Sequence, residues 1–283
     1  MKHAEFDGTD LGLSTRRWRN RLITWSVFGC AIAVLRCLAM AADSSGGSSQ
    51  ELMYEAPKQL TGKIYAAGSD LKTPLFTFQR EATRSGTTLK VLREFSYPDG
   101  KPAVRQRMVY EGNELVSFEM EELQVDARGA ITIRRDPANS AKRIVAFEYT
   151  KDVSSQGKRK TAQETLKENL VMDDMIGPFL ASHWAALMQG DAVKCRYLSI
   201  PRRETVGFTF TKESESTRQG HPVVIIKMEP TSVIIAAIVD PLRFTVEREG
   251  QHHILQYVGR TTPKAQDGSK WNDLDAVTVF NWP

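Results

Sequence analysis

Cysteine is scarce in this chain. Three occur in 283 residues, at Cys30, Cys37 and Cys195. Two of these fall in the leading segment, so one thiol remains for the rest and a disulfide scaffold is excluded. A Gly-rich phosphate loop ending in Lys-Ser/Thr is absent, and so is a G-x-S-x-G elbow, which removes the P-loop and α/β-hydrolase readings. Beyond the leader the histidines are His183, His221, His252 and His253. None has H-x-x-x-H spacing and no C-x-x-C occurs, so a zinc site has no support. Basic stretches lack the interleaved aromatics that stack on bases, which argues against nucleic acid.

The first forty-two residues carry an address. Arg16, Arg17, Arg19 and Arg21 precede an apolar run from Leu22 to Leu35, followed by Arg36 and Ala39-Met40-Ala41-Ala42. A basic start, an apolar centre and an A-x-A junction have the form of a secretory signal peptide cleaved near Ala41-Ala42. The expected location is the periplasm or the extracellular space. An uncleaved anchor is the alternative, but about 20 apolar residues are needed to span, and Leu22–Ala42 reaches that length only by including Arg36. Val27-Phe28-Gly29-Cys30 approaches a lipobox, and Thr15-Arg16-Arg17 partly matches a twin-arginine signal; both fits are poor. Residues 1–41 hold six of the 38 Lys/Arg and three of the 34 Asp/Glu, so the remainder has 32 basic against 31 acidic residues. The formal charge of +4 therefore says little about the mature chain, and contact with membrane is expected only through the N-terminal signal or anchor.

Residues 42–57 are rich in Ser, Gly and Gln and read as a flexible linker. Residues 58–283 read as a single β-rich domain. From about Leu60 the chain alternates apolar and polar residues in short runs bounded by turn residues, the pattern of antiparallel strands with one wet face. The clearest hairpin is Thr88–Tyr97, Pro98-Asp99-Gly100-Lys101, Pro102–Glu111. Residues 151–170 are polar and fit either a short helix or an irregular edge strand. One helix is well signalled at 178–189: Pro178 at its start, a stripe of Leu180, Trp184, Leu187 and Met188, and Gly190 at its end. The run Val233–Val239 reads as a short buried helix, with a buried strand as alternative. Ten to twelve strands in sequence form a sheet that must curl. The expected fold is mainly β: a large curved antiparallel sheet or half-barrel meander, with one or two short helices packed on its concave face.

Asn169-Leu170-Val171-Met172-Asp173-Asp174, followed by Phe179-Leu180-Ala181-Ser182-His183-Trp184 and Leu187-Met188-Gln189-Gly190, resembles a recurrent segment of exported bacterial proteins of unknown function. Lys227–Ser232, Val239-Asp240-Pro241 and Gln256–Arg260 are similar to later pieces of the same group. The likeness spans about 88–282. That group is similar to the periplasmic half-barrel proteins that include lipoprotein carriers. The resemblance implies an exported half-barrel and supplies no catalytic residues; lipid carriage follows only by analogy of fold.

Neither adjacent acid pair, Glu121-Glu122 or Asp173-Asp174, has the placement of a glycosidase pair, and Ser182 beside His183 should diverge from it on a helix. His252 and His253, read as neighbours in a strand, should point to opposite faces. Lys194, Arg196, Arg202 and Arg203 form a basic cluster that either meets an anionic head group or pairs with the acidic strand at 114–122. The leading expectation is a non-enzymatic, cofactor-free binding module. Its lipid or other apolar ligand would lie between the sheet and the 178–189 helix, lined by Trp184 and Tyr197 with Arg196 or Arg203 at the mouth. An envelope scaffold that binds other proteins and an exported hydrolase with a scattered site are the alternatives.

Overall fold

A computed structural model describes residues 51–166, 169–237 and 239–283. The expected signal segment, and the expected linker up to residue 50, lie outside these. Two arms of strands build one sheet. The first arm is β1 (Gln59–Ala66), β2 (Phe76–Ser85), β3 (Thr88–Ser96), β4 (Pro102–Glu111), β5 (Glu114–Glu122), β6 (Ala127–Asp136), β7 (Asn139–Thr150) and β8 (Lys160–Thr165). The second is β9 (Leu170–Val171), β10 (Val193–Ser199), β11 (Glu204–Arg218), β12 (His221–Pro230), β13 (Leu242–Glu247), β14 (Ile254–Asp267) and β15 (Lys270–Asn281).

Each arm is an up-and-down meander, and the arms join where β1 pairs antiparallel with β15, Ile64 opposite Thr278. The order runs β8 to β1, then β15 down to β9, so the first and last strands lie mid-sheet and β8 and β9 form the edges. The meander is interrupted only at β9, a two-residue strand parallel to β10. Register shifts, as between Phe95 and Ser96 or Arg260 and Lys264, add twist and bend. Away from that seam, β8 of the first arm also meets β11 of the second through a side chain: the Glu164 carboxylate accepts the Thr205 backbone N–H at 3.0 Å.

The 88–111 hairpin forms as its turn chemistry dictates. Gly100 adopts φ 86°, its N–H donates to Tyr97 O at 2.9 Å, and Asp99 Oδ1 accepts from Lys101 N at 2.9 Å. Val91, Phe95, Val104, Met108 and Tyr110 face inward from this pair. They join one continuous core drawn from both arms.

Three segments bear on the helices expected from the sequence, and two of them depart from that reading. The stretch expected as one helix is two, α1 (Ile176–Ser182) and α2 (Trp184–Gln189), broken at His183 with φ −109° and ψ 13°. Gly190 closes α2 in the left-handed region at φ 90°. Ile176, Phe179, Leu180 and Leu187 are buried, so this helix pair fills the inner side of the sheet. Of the two forms left open for residues 151–170, the edge strand is the one found, as β8. α3 (Val233–Ala236) is a helix but lies in the β12–β13 connection, with Val233 and Ile234 86% and 80% exposed rather than buried.

The expected linker also ends early. Tyr54 and Glu55 are buried. The Tyr54 ring stacks on Tyr110 at 4.6 Å, and Glu55 Oε2 takes Arg84 Nη1 at 2.9 Å.

Candidate functional site

A row of polar side chains crosses the inner face where alternation should deliver only apolar ones. Arg80 on β2 lies directly opposite Arg93 on β3, which lies opposite Gln106 on β4. All three are buried. Two guanidinium groups facing each other across strands repel. Their partners come from the 3-10 turn Asp173–Met175, which delivers two carboxylates just before α1.

Asp174 takes Arg80 through Nε at 2.7 Å and Nη2 at 3.2 Å, and accepts Tyr110 Oη at 3.1 Å. The remaining Arg80 donors go to the backbone oxygens of Pro57 and Tyr54. Asp173 accepts the Tyr197 hydroxyl from β10, Thr262 Oγ1 from β14 at 3.4 Å, and lies 3.3 Å from Arg93 Nη1. One turn therefore ties α1 to strands of both arms. Burial, and then the Asp174 and Asp173 charges, hold the Tyr110 and Tyr197 hydroxyls well above the ordinary phenol range.

These charges form the floor of a cleft of about 530 Å³. Its walls are mostly apolar, among them Leu60, Phe78, Ile254, Phe280 and Trp282, with Gln251 beside them. His252 and His253 both line it, against the expectation that they face opposite ways. They lie in the loop before β14, and His252 sits at φ 57°, which breaks strand alternation. Each ring stacks on an indole, His252 on Trp184 at 4.0 Å and His253 on Trp282 at 3.8 Å.

The four residues singled out from sequence do not come together. Trp184 packs on His252 at the rim, outside the lining. Tyr197 points inward but its hydroxyl is committed to Asp173. Arg196 bonds to the side chain and backbone oxygens of Thr205, and Arg203 bonds Pro201 O at 3.4 Å. Neither arginine lines the cleft. Nor does the basic cluster pair with the acidic strand: Arg202 holds Glu204 at 2.7 Å, while Glu121 on β5 is met by Arg105, Arg107 and Arg128. Those partners are cross-strand neighbours, whereas β10 and β5 lie in different arms.

The break at His183 also brings Ser182 Oγ to 3.0 Å from His183 Nδ1, a proximity that helical geometry argued against. Nδ1 lies 2.9 Å from Phe179 O as well, and a carbonyl can only accept. Nδ1 therefore carries the proton and cannot act as a base toward Ser182, whose own hydroxyl donates to the same carbonyl at 2.9 Å. Burial pushes the Cys195 thiol up to about 12, the state of an inert thiol. Among the described residues no three His, Cys, Asp or Glu side chains converge as metal ligands.

Sequence reasoning missed Arg80 and Arg93. A signal was present: Arg80 follows Phe76 and Phe78 in phase, and Arg93 sits between Val91 and Phe95 in phase, each a charge on the buried side of an alternating strand.

No family model matches the chain, and no curated protein matches it. Among solved structures it is similar to a beta-barrel-like protein of the domain of unknown function DUF1849 from Brucella abortus. The two share 10% identity over 79% of this chain and 94% of that one, with a TM-score of 0.38.

Proposed function

We propose that this chain is an exported, non-enzymatic binding module whose site is the cleft above Arg80, Arg93, Asp173 and Asp174, where it takes an apolar or amphipathic small molecule. The observation that carries the reading is the cleft itself: about 530 Å³, mostly apolar walls, and a few convergent polar groups on its floor. Small-molecule sites have that size and composition. The site differs from a lumen beneath Trp184, because α1 and α2 already fill the inner face there. Export rests on the leader read from the sequence. A second reading, docking of envelope proteins, is favoured by two features: the filled inner face, and the outer edge of β8, which among the described residues pairs only with β7.

Gly177 gives a direct test. It lines the cleft, and a Cβ there would meet nothing nearer than Ile254 Cδ1 at 3.9 Å. Gly177→Leu should therefore keep the fold, occupy the cleft, and abolish binding of the apolar probe N-phenyl-1-naphthylamine, read by probe fluorescence. Equal probe binding by the folded variant, or none by the wild type, would refute the cleft as a site; a pull-down from solubilised envelope that retains a partner through β8 would then support docking.

A further inference from the structure

We propose that Arg93 is the head-group contact of this cleft, and that the ligand presents to it an uncharged carbonyl, as in an ester or amide, on an apolar chain. The assignment rests on the cleft being a binding site and says what that site selects.

The two arginines of the floor differ in how far their donors are committed. Arg80 uses Nε, Nη1 and Nη2 on Asp174 and two backbone oxygens. Arg93 is 8% exposed. Among the described residues it bonds only through Nη1, to Gln106 Oε1 at 3.0 Å and toward Asp173 Oδ2 at 3.3 Å. Its Nε and Nη2 hold hydrogens with no protein acceptor. No sealed side-chain nitrogen or oxygen among the described residues lacks a partner, so these two atoms reach accessible space. The space that Arg93 borders is the cleft. The rings of Phe78 and Phe95, 5.1 and 5.6 Å from the guanidinium carbon, hold its plane in place.

Free donors call for an acceptor, and the surrounding charge decides which kind. Arg80 and Arg93 are balanced by Asp174 and Asp173, all four in the lining. At the mouth, His253 Nδ1 lies 3.0 Å from Glu247 Oε2, so a charge on that ring already has its counter-ion. A carboxylate or phosphate entering here would bring an uncompensated charge beside two carboxylates in a half-desolvated floor, which costs more than one hydrogen bond returns. A neutral carbonyl accepts the same donors without that cost. Behind the head, Leu60, Phe280 and Ile254 receive the chain.

Methyl decanoate and decanoate share a chain and differ in the head. At pH 8, displacing N-phenyl-1-naphthylamine from the full chain, the ester should bind about tenfold or more tightly than the ionised acid. Arg93→Gln should weaken the ester about tenfold while the naphthylamine, which has no carbonyl, stays within about twofold. Equal or tighter binding of decanoate overturns the assignment while leaving the cleft a binding site. So does an ester affinity that Arg93→Gln leaves unchanged. Should the glutamine variant fail to fold, the wild-type comparison of the two heads decides alone. Failure of the naphthylamine to bind, or its retention in Gly177→Leu, instead removes the binding reading beneath.

Discussion

At the residue scale the molecule is organised by four charges that its strand pattern did not invite. Arg80 and Asp174 are both nearly sealed, with side-chain exposures of 5% and 2%. Removing one member of such a pair strands the other, whereas replacing both by apolar groups need not destabilise. Asp174→Asn should therefore cost about 3–5 kcal/mol. The double change Arg80→Met with Asp174→Leu should recover most of that loss, measured as urea unfolding. A double variant as weak as the single one would mean that the Pro57, Tyr54 and Tyr110 contacts, not charge balance, set the cost. A residue-scale reading of the sequence had every one of these side chains in view. It weighed Asp173 and Asp174 only as an adjacent acid pair and missed their role, because the partners lie 80 and 94 positions away and no spacing rule reaches that far.

Buried protons set the alkaline limit at the same scale. Burial raises Cys195 to about 12, and burial with the neighbouring aspartates raises Tyr110 and Tyr197 above their ordinary range. In the unfolded chain a thiol gives up its proton near pH 8.5 and a phenol near pH 10. Above about pH 8.5 the unfolded state thus binds fewer protons than the native one, and stability falls as pH rises. These groups contribute no slope below that point. The urea midpoint should hold between pH 7 and 8 and drop progressively from pH 9 to 11. Cys195 in the native protein should resist a thiol reagent at pH 8 and react once unfolded. A flat midpoint to pH 11 would contradict the burial of these hydroxyls.

At the element scale, what was legible is what a few neighbouring residues decide. The 88–111 hairpin is fixed by Pro98-Asp99-Gly100 and two in-phase apolar faces, and it forms as read. Gly190 was legible as a helix stop for the same reason: the left-handed position at φ 90° suits a residue without Cβ. Gly190→Ala should lose about 1 kcal/mol and Gly190→Asn less, by chemical denaturation. Equal losses for the two would point to side-chain crowding, yet a Cβ at Gly190 meets nothing within 4 Å. The break at His183 was not legible, since the apolar stripe of one helix and of two consecutive ones is the same. Nor was the exposure of α3: an apolar run reports what a segment offers for burial, and among the described residues nothing covers Val233 and Ile234 in the β12–β13 connection. His252 and His253 failed for a third reason, a left-handed residue between two strands that resets the alternation.

At the scale of the whole molecule, alternation gave a curved antiparallel meander but not where the chain closes on itself. The pairing of β1 with β15 joins residues more than 200 positions apart, Thr61 with Asn281, and nothing local encodes it. Its consequence is that stability should not follow chain order. β1 is flanked on both sides by long strands and contains Ile64, fully buried. β8 is a six-residue edge strand, mostly exposed, with one paired side among the described residues, and it is hydrogen-bonded to the other arm through the side chain of Glu164. Opening free energies span from near zero at frayed edges to the global value in the core. In hydrogen exchange, amides of β1 and of Ala276–Thr278 should exchange only by global unfolding. Those of β8 should exchange orders of magnitude faster, and faster still in Glu164→Ala. If β8 proved as protected as β1, the two edges would have to be joined by backbone hydrogen bonds. The sheet would then be a closed barrel, and the outer edge of β8 would no longer be open to a partner strand.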